Sequence, residues 1–122
     1  MLEDFSKNDL TKREFMTSAS IALTKGNLNN NHFYLTRCLD IFPAASIGGK
    51  NSAEQAPLML TIRPSSGEEV LTDIDGTKNI FRKRGWIGKM FRAFDAKVGD
   101  FVHIERISET VFEVLVIQGG AT

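Results

Sequence analysis

Apolar and polar residues alternate along much of this chain, in runs too short for anything but short strands. Between Phe15 and Leu23, the positions Phe15, Thr17, Ala19, Ile21 and Leu23 alternate with Met16, Ser18, Ser20 and Ala22. That is a strand period with small or polar residues on one face. "TKGNLNNN" reads as a loop, because Gly26 and four asparagines favour turns over a regular element. "HFYLT" reads as a short strand, and "RCLDIF" as one or two helical turns stopped by Pro43. "SIGGKNSAEQ" reads as a flexible connection. "PLMLTIR" and "EVLTDI" are strands separated by the turn "PSSGE". "DGTK" is a second turn, and "NIFRKR" a strand that closes a hairpin around it. The period then changes. Ile87, Met90, Phe91 and Phe94 fall at i, i+3, i+4 and i+7, which is one face of a helix. After the turn "KVGD", "FVHIERI" and "VFEVLVI" form a final hairpin across "SET". The pattern predicts a mainly β domain over 15–118, with about seven strands, two short helices and mostly antiparallel pairing. Short strands in a chain of this size predict a small barrel or an open, barrel-like sandwich. Residues 1–14 are polar and read as a tail or a short helix.

Composition narrows the class without naming a function. A chain of 122 residues suits one domain, and 42% hydrophobic with 25% charged residues is neither disordered nor fibrous. Cys38 is the only cysteine, so no internal disulfide forms, and no Cys/His pattern has zinc-site spacing. A reducing, cytoplasmic setting is expected, with no metal and no cofactor. No apolar run approaches the ~20 residues of a membrane span. The first residues, "MLEDFSKNDLTKRE", are charged and carry no apolar signal core, so no membrane partner is expected.

Charge changes the picture by its placement. The chain is formally neutral, yet from Gly76 to Phe94 it has no acid, six bases (Lys78, Arg82, Lys83, Arg84, Lys89, Arg92) and four aromatics (Phe81, Trp86, Phe91, Phe94). Such a run needs solvent or an anion to neutralise it, and duplex DNA rewards it through counterion release. Arg82 and Arg84 lie two apart on a predicted strand and point the same way, which suits base edges. Lys78, Lys83 and Lys89 suit phosphates, and Thr77 and Asn79 fall in the same arm. The competing reading is a solvated charged strand that guards a sheet edge against aggregation. A second acid-free segment between Ser20 and Arg37 supplies Lys25, Asn27, Asn29, Asn30, Asn31 and His32. An asparagine amide offers the donor and acceptor that adenine presents in reverse, although Asn clusters also serve simply as turn residues. Tyr34 lies two residues from His32 and is either a DNA contact or a rim residue. Trp86 reads first as core and second as a contact. His103 reads as structural or exposed, Cys38 as a small buried hydrophobe, and Asp100 as a cap at the entry to the penultimate strand.

The segment "RGWIGKMFRAFDAKVGDFVHIERI" resembles the plant-type B-three DNA-binding domain: Gly85-Trp86, an aromatic at Phe91, Gly99-Asp100, then the apolar alternation of Phe101, Val102 and Ile104. "LTKGNLNNNHFYLTRCLDIFP" and "TKNIFRKRGW" are similar to the two arms of the bacterial branch, found as the target-reading or effector module of restriction endonucleases such as EcoRII. The resemblance covers roughly Phe15 to Val116, with Asn27 and His32 matching motif positions and the other asparagines carried by position alone. It implies a seven-stranded open pseudobarrel with two small helices, whose arms at about 24–34 and 77–89 grip the major groove. It also implies a monomer that binds double-stranded DNA sequence-specifically, either as the recognition domain of a restriction endonuclease, with a nuclease domain or subunit as a further partner, or as a stand-alone relative.

Catalysis within the chain is not expected. "DAK" (Asp95-Ala96-Lys97), with Asp73 or Asp75 upstream, has the local form of a metal-nuclease acid-x-Lys pair, but it falls in a helix-to-strand turn. His-x-Lys is absent, neither His lies in a cleft motif that would serve a Ser or Cys nucleophile, and "SIGGK" lacks the spacing of a phosphate-binding loop. Three alternatives remain open: an AbrB-like swapped-hairpin dimer, a small barrel that binds a protein or ligand, and a minimal metal-dependent nuclease.

Overall fold

A computed structural model describes residues 17–119. The polar segment 1–14 and the first residues of the first predicted strand lie outside the described residues. Among the described residues, eight strands form two sheets. The larger holds β1 (Ser18–Ala22), β3 (Leu60–Pro64), β4 (Val70–Thr72), β7 (Phe101–Arg106) and β8 (Val111–Ile117) in the order β1-β7-β8-β3-β4. The smaller orders β2 (Ile47–Gly48), β5 (Ile74–Asp75) and β6 (Ile80–Phe81) as β2-β5-β6. β1–β7, β3–β4, β5–β6 and β7–β8 pair antiparallel, whereas β3–β8 and β2–β5 pair parallel.

The chain is therefore mainly β with short helices, as the periodicity predicts. The described residues form eight strands rather than seven, and among them the two sheets do not close, so the ladders do not support the expected barrel. Alternate residues of β3, β7 and β8 face the core, including Leu60, Ile62, Val102, Ile104, Phe112 and Val114. Leu35, Ile74 and Phe81 complete it from outside the large sheet, and all three are fully buried. Phe81 meets Phe33, Phe42 and Trp86 edge-on or tilted, at centroid separations of 5.9, 5.7 and 5.6 Å. This aromatic cluster roots the second basic segment in the core, because β6 ends at Phe81.

Two helices flank the sheets. Helix α1 (Lys25–Asn30) occupies the stretch that reads as a loop. Thr24 caps it: its hydroxyl accepts from the Asn27 N–H at 3.2 Å, and the Asn27 side-chain oxygen accepts from the Thr24 N–H at 2.9 Å. This reciprocal box satisfies two otherwise orphaned donors, and it outweighs the turn preference of the asparagines. Asn31 ends the helix in the left-handed conformation at φ 54°. The predicted strand "HFYLT" is instead irregular, running into a 3-10 helix over Thr36–Ile41 that stops before Pro43, as expected. Helix α2 (Gly85–Ala93) buries Trp86, Ile87, Met90 and Phe91, while Phe94 falls just beyond it and is exposed. A Cβ on Gly88 would come within 2.9 Å of the Asn31 amide, so glycine permits α2 to lie against the end of α1. The connection read as flexible, 46–55, contains β2 and a 3-10 turn over Ser52–Glu54.

Asp73 stands where the chain passes from β4 in one sheet to β5 in the other. Its carboxylate is 1% exposed and accepts from Arg82 Nε at 2.6 Å, Arg82 Nη2 at 3.0 Å and the Ala56 N–H at 2.7 Å. The same guanidinium donates to the carbonyls of Gly49, Lys50 and Asn51 at 2.8, 3.2 and 3.3 Å. Arg82 thereby ties three segments together at the junction of the sheets.

Candidate nucleic-acid interface

The two acid-free segments lie side by side, although "HFYLT" forms no strand and the strand predicted over 79–84 is only β6, Ile80–Phe81. The Leu35 N–H donates to the Asn79 carbonyl at 2.7 Å, and the Asn79 amide donates to the Thr36 hydroxyl at 3.2 Å. Asn79 adopts φ 60°, which turns the chain from β5 into β6. Further out, Arg84 Nη1 donates to His32 Nδ1 at 3.3 Å. His32 also packs against Tyr34, ring centroids 4.9 Å apart, and Tyr34 is 53% exposed. His32, Tyr34 and Arg84 thus form one outward-facing cluster that bridges both arms.

Arg82 and Arg84 do not share a face. The predicted strand stops at Phe81, so alternation does not extend across 82–84. Arg82 turns inward to Asp73, with five protein acceptors around its guanidinium, and the assignment of Arg82 to a base edge is corrected on that ground. Of the six bases, removing Arg82 leaves five: Lys78, Lys83, Arg84, Lys89 and Arg92, all exposed. None of these forms an ion pair with another described residue, and neither does Lys25. Lys89 stands at the margin of the surface, since it shares a groove with Glu68 and Glu69 beside Trp86.

The asparagines divide in the same way. Asn27 is buried in the capping box and Asn31 closes the helix, so both are structural. Asn30 donates to the Gly26 carbonyl of its own helix at 3.0 Å, and Asn29 is exposed. Lys25 and Asn29 therefore remain the accessible polar groups of α1, with Asn30 partly engaged. Trp86 is buried, and its indole N–H donates to the Lys83 carbonyl at 2.7 Å, which fits the core reading and leaves little of the ring for a ligand. Thr77 is spent on Asp75: its hydroxyl and N–H both reach one carboxylate oxygen, at 2.6 and 2.9 Å.

These contacts set the ionisation of the site. Burial, then the positive charges of Arg84 and Lys78, hold His32 below its ordinary value. Arginine has no acceptor, so its bond to Nδ1 puts the neutral ring's proton on Nε2 and leaves that donor for an outside group. Burial raises the Asp73 carboxyl, but the Arg82 and Ala56 hydrogen bonds outweigh it and keep the group below the usual range. Asp75 follows the same logic: burial is outweighed by the donors of Thr77 and Lys78. The two acids at the base of the hairpin are thus absorbed internally, and the exposed bases are not.

The residues weighed for catalysis lie apart in role. Lys97 Nζ pairs with Asp95 at 2.6 Å in the open, and Asp100 accepts from the Lys97 and Gly119 N–H groups, closing the turn as expected of it. One constellation is absent from the sequence reading. Ser20 Oγ lies 3.0 Å from His103 Nδ1, and His103 Nε2 lies 3.1 Å from Glu105. The signal was the cross-strand register, since β1–β7 pairing sets Ser20 opposite His103. The three lie on the face of β1 and β7 turned away from the core, with Ser20 exposed and His103 and Glu105 half-buried. No group of three or more His, Cys, Asp or Glu among the described residues is placed to hold a metal, and no described helix is long and apolar enough to cross a membrane. Protein-family models give no match to the chain, and neither do the curated proteins.

Proposed function

We propose that the chain is a double-stranded DNA-binding module whose two arms, about 24–34 and 77–89, straddle the major groove. The observation that carries this reading is the convergence of the arms at Arg84 and His32, amid exposed bases without an acid partner among the described residues. Lys25, Lys78 and Lys83 supply phosphate contacts, with Lys89 at the edge. Arg84 is the base-reading side chain, a role that the sequence reading shared between it and Arg82. Asn29 and Tyr34 are accessible from the first arm. The open-pseudobarrel relationship to the recognition domains of restriction endonucleases belongs to the same proposal, supported by the ordered motif set and the mainly β architecture. On this reading the chain acts as a monomer in the cytoplasm, and cleavage belongs to a partner domain or subunit.

The test is the salt response of binding to a pooled random duplex. Each phosphate neutralised contributes a slope of about −0.9 in log affinity against log salt. Four to five contacts then give a loss of about 150- to 500-fold between roughly 50 and 200 mM salt. A flat response, or no binding at the lower salt, defeats the reading.

A further inference from the structure

We propose that His32 is a positioning residue: by accepting the hydrogen bond of Arg84 it couples the two arms and aims the rest of that guanidinium at a base edge. The inference rests on the DNA-binding reading and assigns where discrimination originates within it.

The guanidinium carries five N–H donors, and the bond to Nδ1 uses one. A bidentate contact to the O6 and N7 of guanine needs two, so the clamp is compatible with base reading. An exposed arginine on a free stem samples many rotamers, and fixing one of its donors removes part of the ordering cost of binding. His32 is itself held, packed on Tyr34 and following the left-handed Asn31 at the end of α1. The position of α1 is fixed in turn by Gly88 of α2. Arg84 stands immediately before α2. The same helix pair therefore sets the origin of both side chains.

The clamp has one chemical weakness, because only a neutral imidazole accepts a hydrogen bond. Protonated His32 would place a third positive charge beside Arg84 and Lys78, the two charged groups that face it, with Tyr34 on its other side. Arg84 would then be released, while the total charge offered to phosphates rises. Acid should erode discrimination between sequences without weakening non-specific binding.

The experiment compares the full chain on two probes, the duplex it selects from a random pool and a scrambled duplex of equal length, between about pH 7.5 and pH 5. The expected result is a ratio of affinities that falls by about fivefold or more on acidification. His32→Gln keeps an acceptor that cannot protonate, so its ratio should be flat across the range. His32→Ala should show the low ratio at every pH, and His103→Gln should behave like wild type. Thermal melting of each variant separates these effects from misfolding. A His32→Ala ratio equal to that of wild type at about pH 7.5, with binding intact, overturns the positioning role alone. A wild-type chain that binds neither probe at low salt overturns the DNA-binding reading and the inference with it.

Discussion

Arg82→Ala should unfold the protein more readily rather than simply weaken a ligand contact, and the size of the effect follows from what the side chain leaves behind. Asp73 is 1% exposed and would keep only the Ala56 N–H at 2.7 Å. Breaking a buried ion pair by removing one partner costs about 3–5 kcal/mol, because the remaining charge has neither solvent nor counterion. The carbonyls of Gly49, Lys50 and Asn51 also lose a donor, but they border exposed residues and can take up water. Against a typical total of about 5–15 kcal/mol, the loss is a large share of the stability. At about 4 °C per kcal/mol for a chain of this length, the melting temperature should fall by about 12 °C or more. Trp86 is the only tryptophan and is buried against Phe81, so its fluorescence reports unfolding in urea directly. Arg84→Ala, at an exposed position, should change stability by less than about 0.5 kcal/mol. Acid supplies a further check. The folded Asp73 is held below its ordinary 3.8, so its contribution is complete above that value and is lost as pH falls through the folded value. Without Arg82, burial is opposed only by backbone N–H groups such as that of Ala56 and the carboxyl rises, so the deficit of the variant is full at neutral pH and shrinks in acid. A second change, Asp73→Asn with Arg82→Met, removes the stranded charge and should restore part of the stability. If Arg82→Ala kept wild-type stability but lost sequence preference, the guanidinium would be leaving Asp73 for DNA and the reasoning would be refuted.

Three further outcomes are expected. Lys83→Ala and Lys89→Ala should weaken binding to all duplexes alike and each reduce the salt slope by about 1, with the smaller loss at Lys89 because of Glu68 and Glu69; a changed site preference would contradict their assignment to phosphates. Thr24→Ala removes the α1 cap and should cost about 0.5–2 kcal/mol in a urea titration, with unchanged stability counting against the capping box. Cys38 is buried and its thiol is pushed up to about 11, so alkylation near neutral pH should follow unfolding, and rapid labelling of the native chain would contradict that burial.

Much of the β framework was legible because β3, β7 and β8 alternate over five to seven residues with one face largely buried. Helix α2 was legible for a parallel reason, since Ile87, Met90 and Phe91 repeat at helical spacing. The arms were not, because neither has a long period. In α1 the decisive signal was local: Thr24 and Asn27 form a box spaced like Ser/Thr-x-x-Glu, hidden within an asparagine run that also reads as turn. In the second arm the period-2 argument needed a strand that outlasted Phe81, and the buried charge of Asp73 drew Arg82 away instead. That partnership spans nine residues and forms only once the hairpin folds, which no local pattern encodes. The pairing of His32 with Arg84, 52 residues apart, is likewise a product of tertiary packing.

Selection of bound sites from a random duplex pool, run in parallel for the wild-type chain and for Arg84→Ala, tests the central claim most directly. The account predicts an enriched motif for the wild type containing at least one guanine position, and loss of preference at that position in the variant while phosphate-driven binding persists. No enrichment by a folded wild-type chain, or the same motif from both proteins, would contradict it.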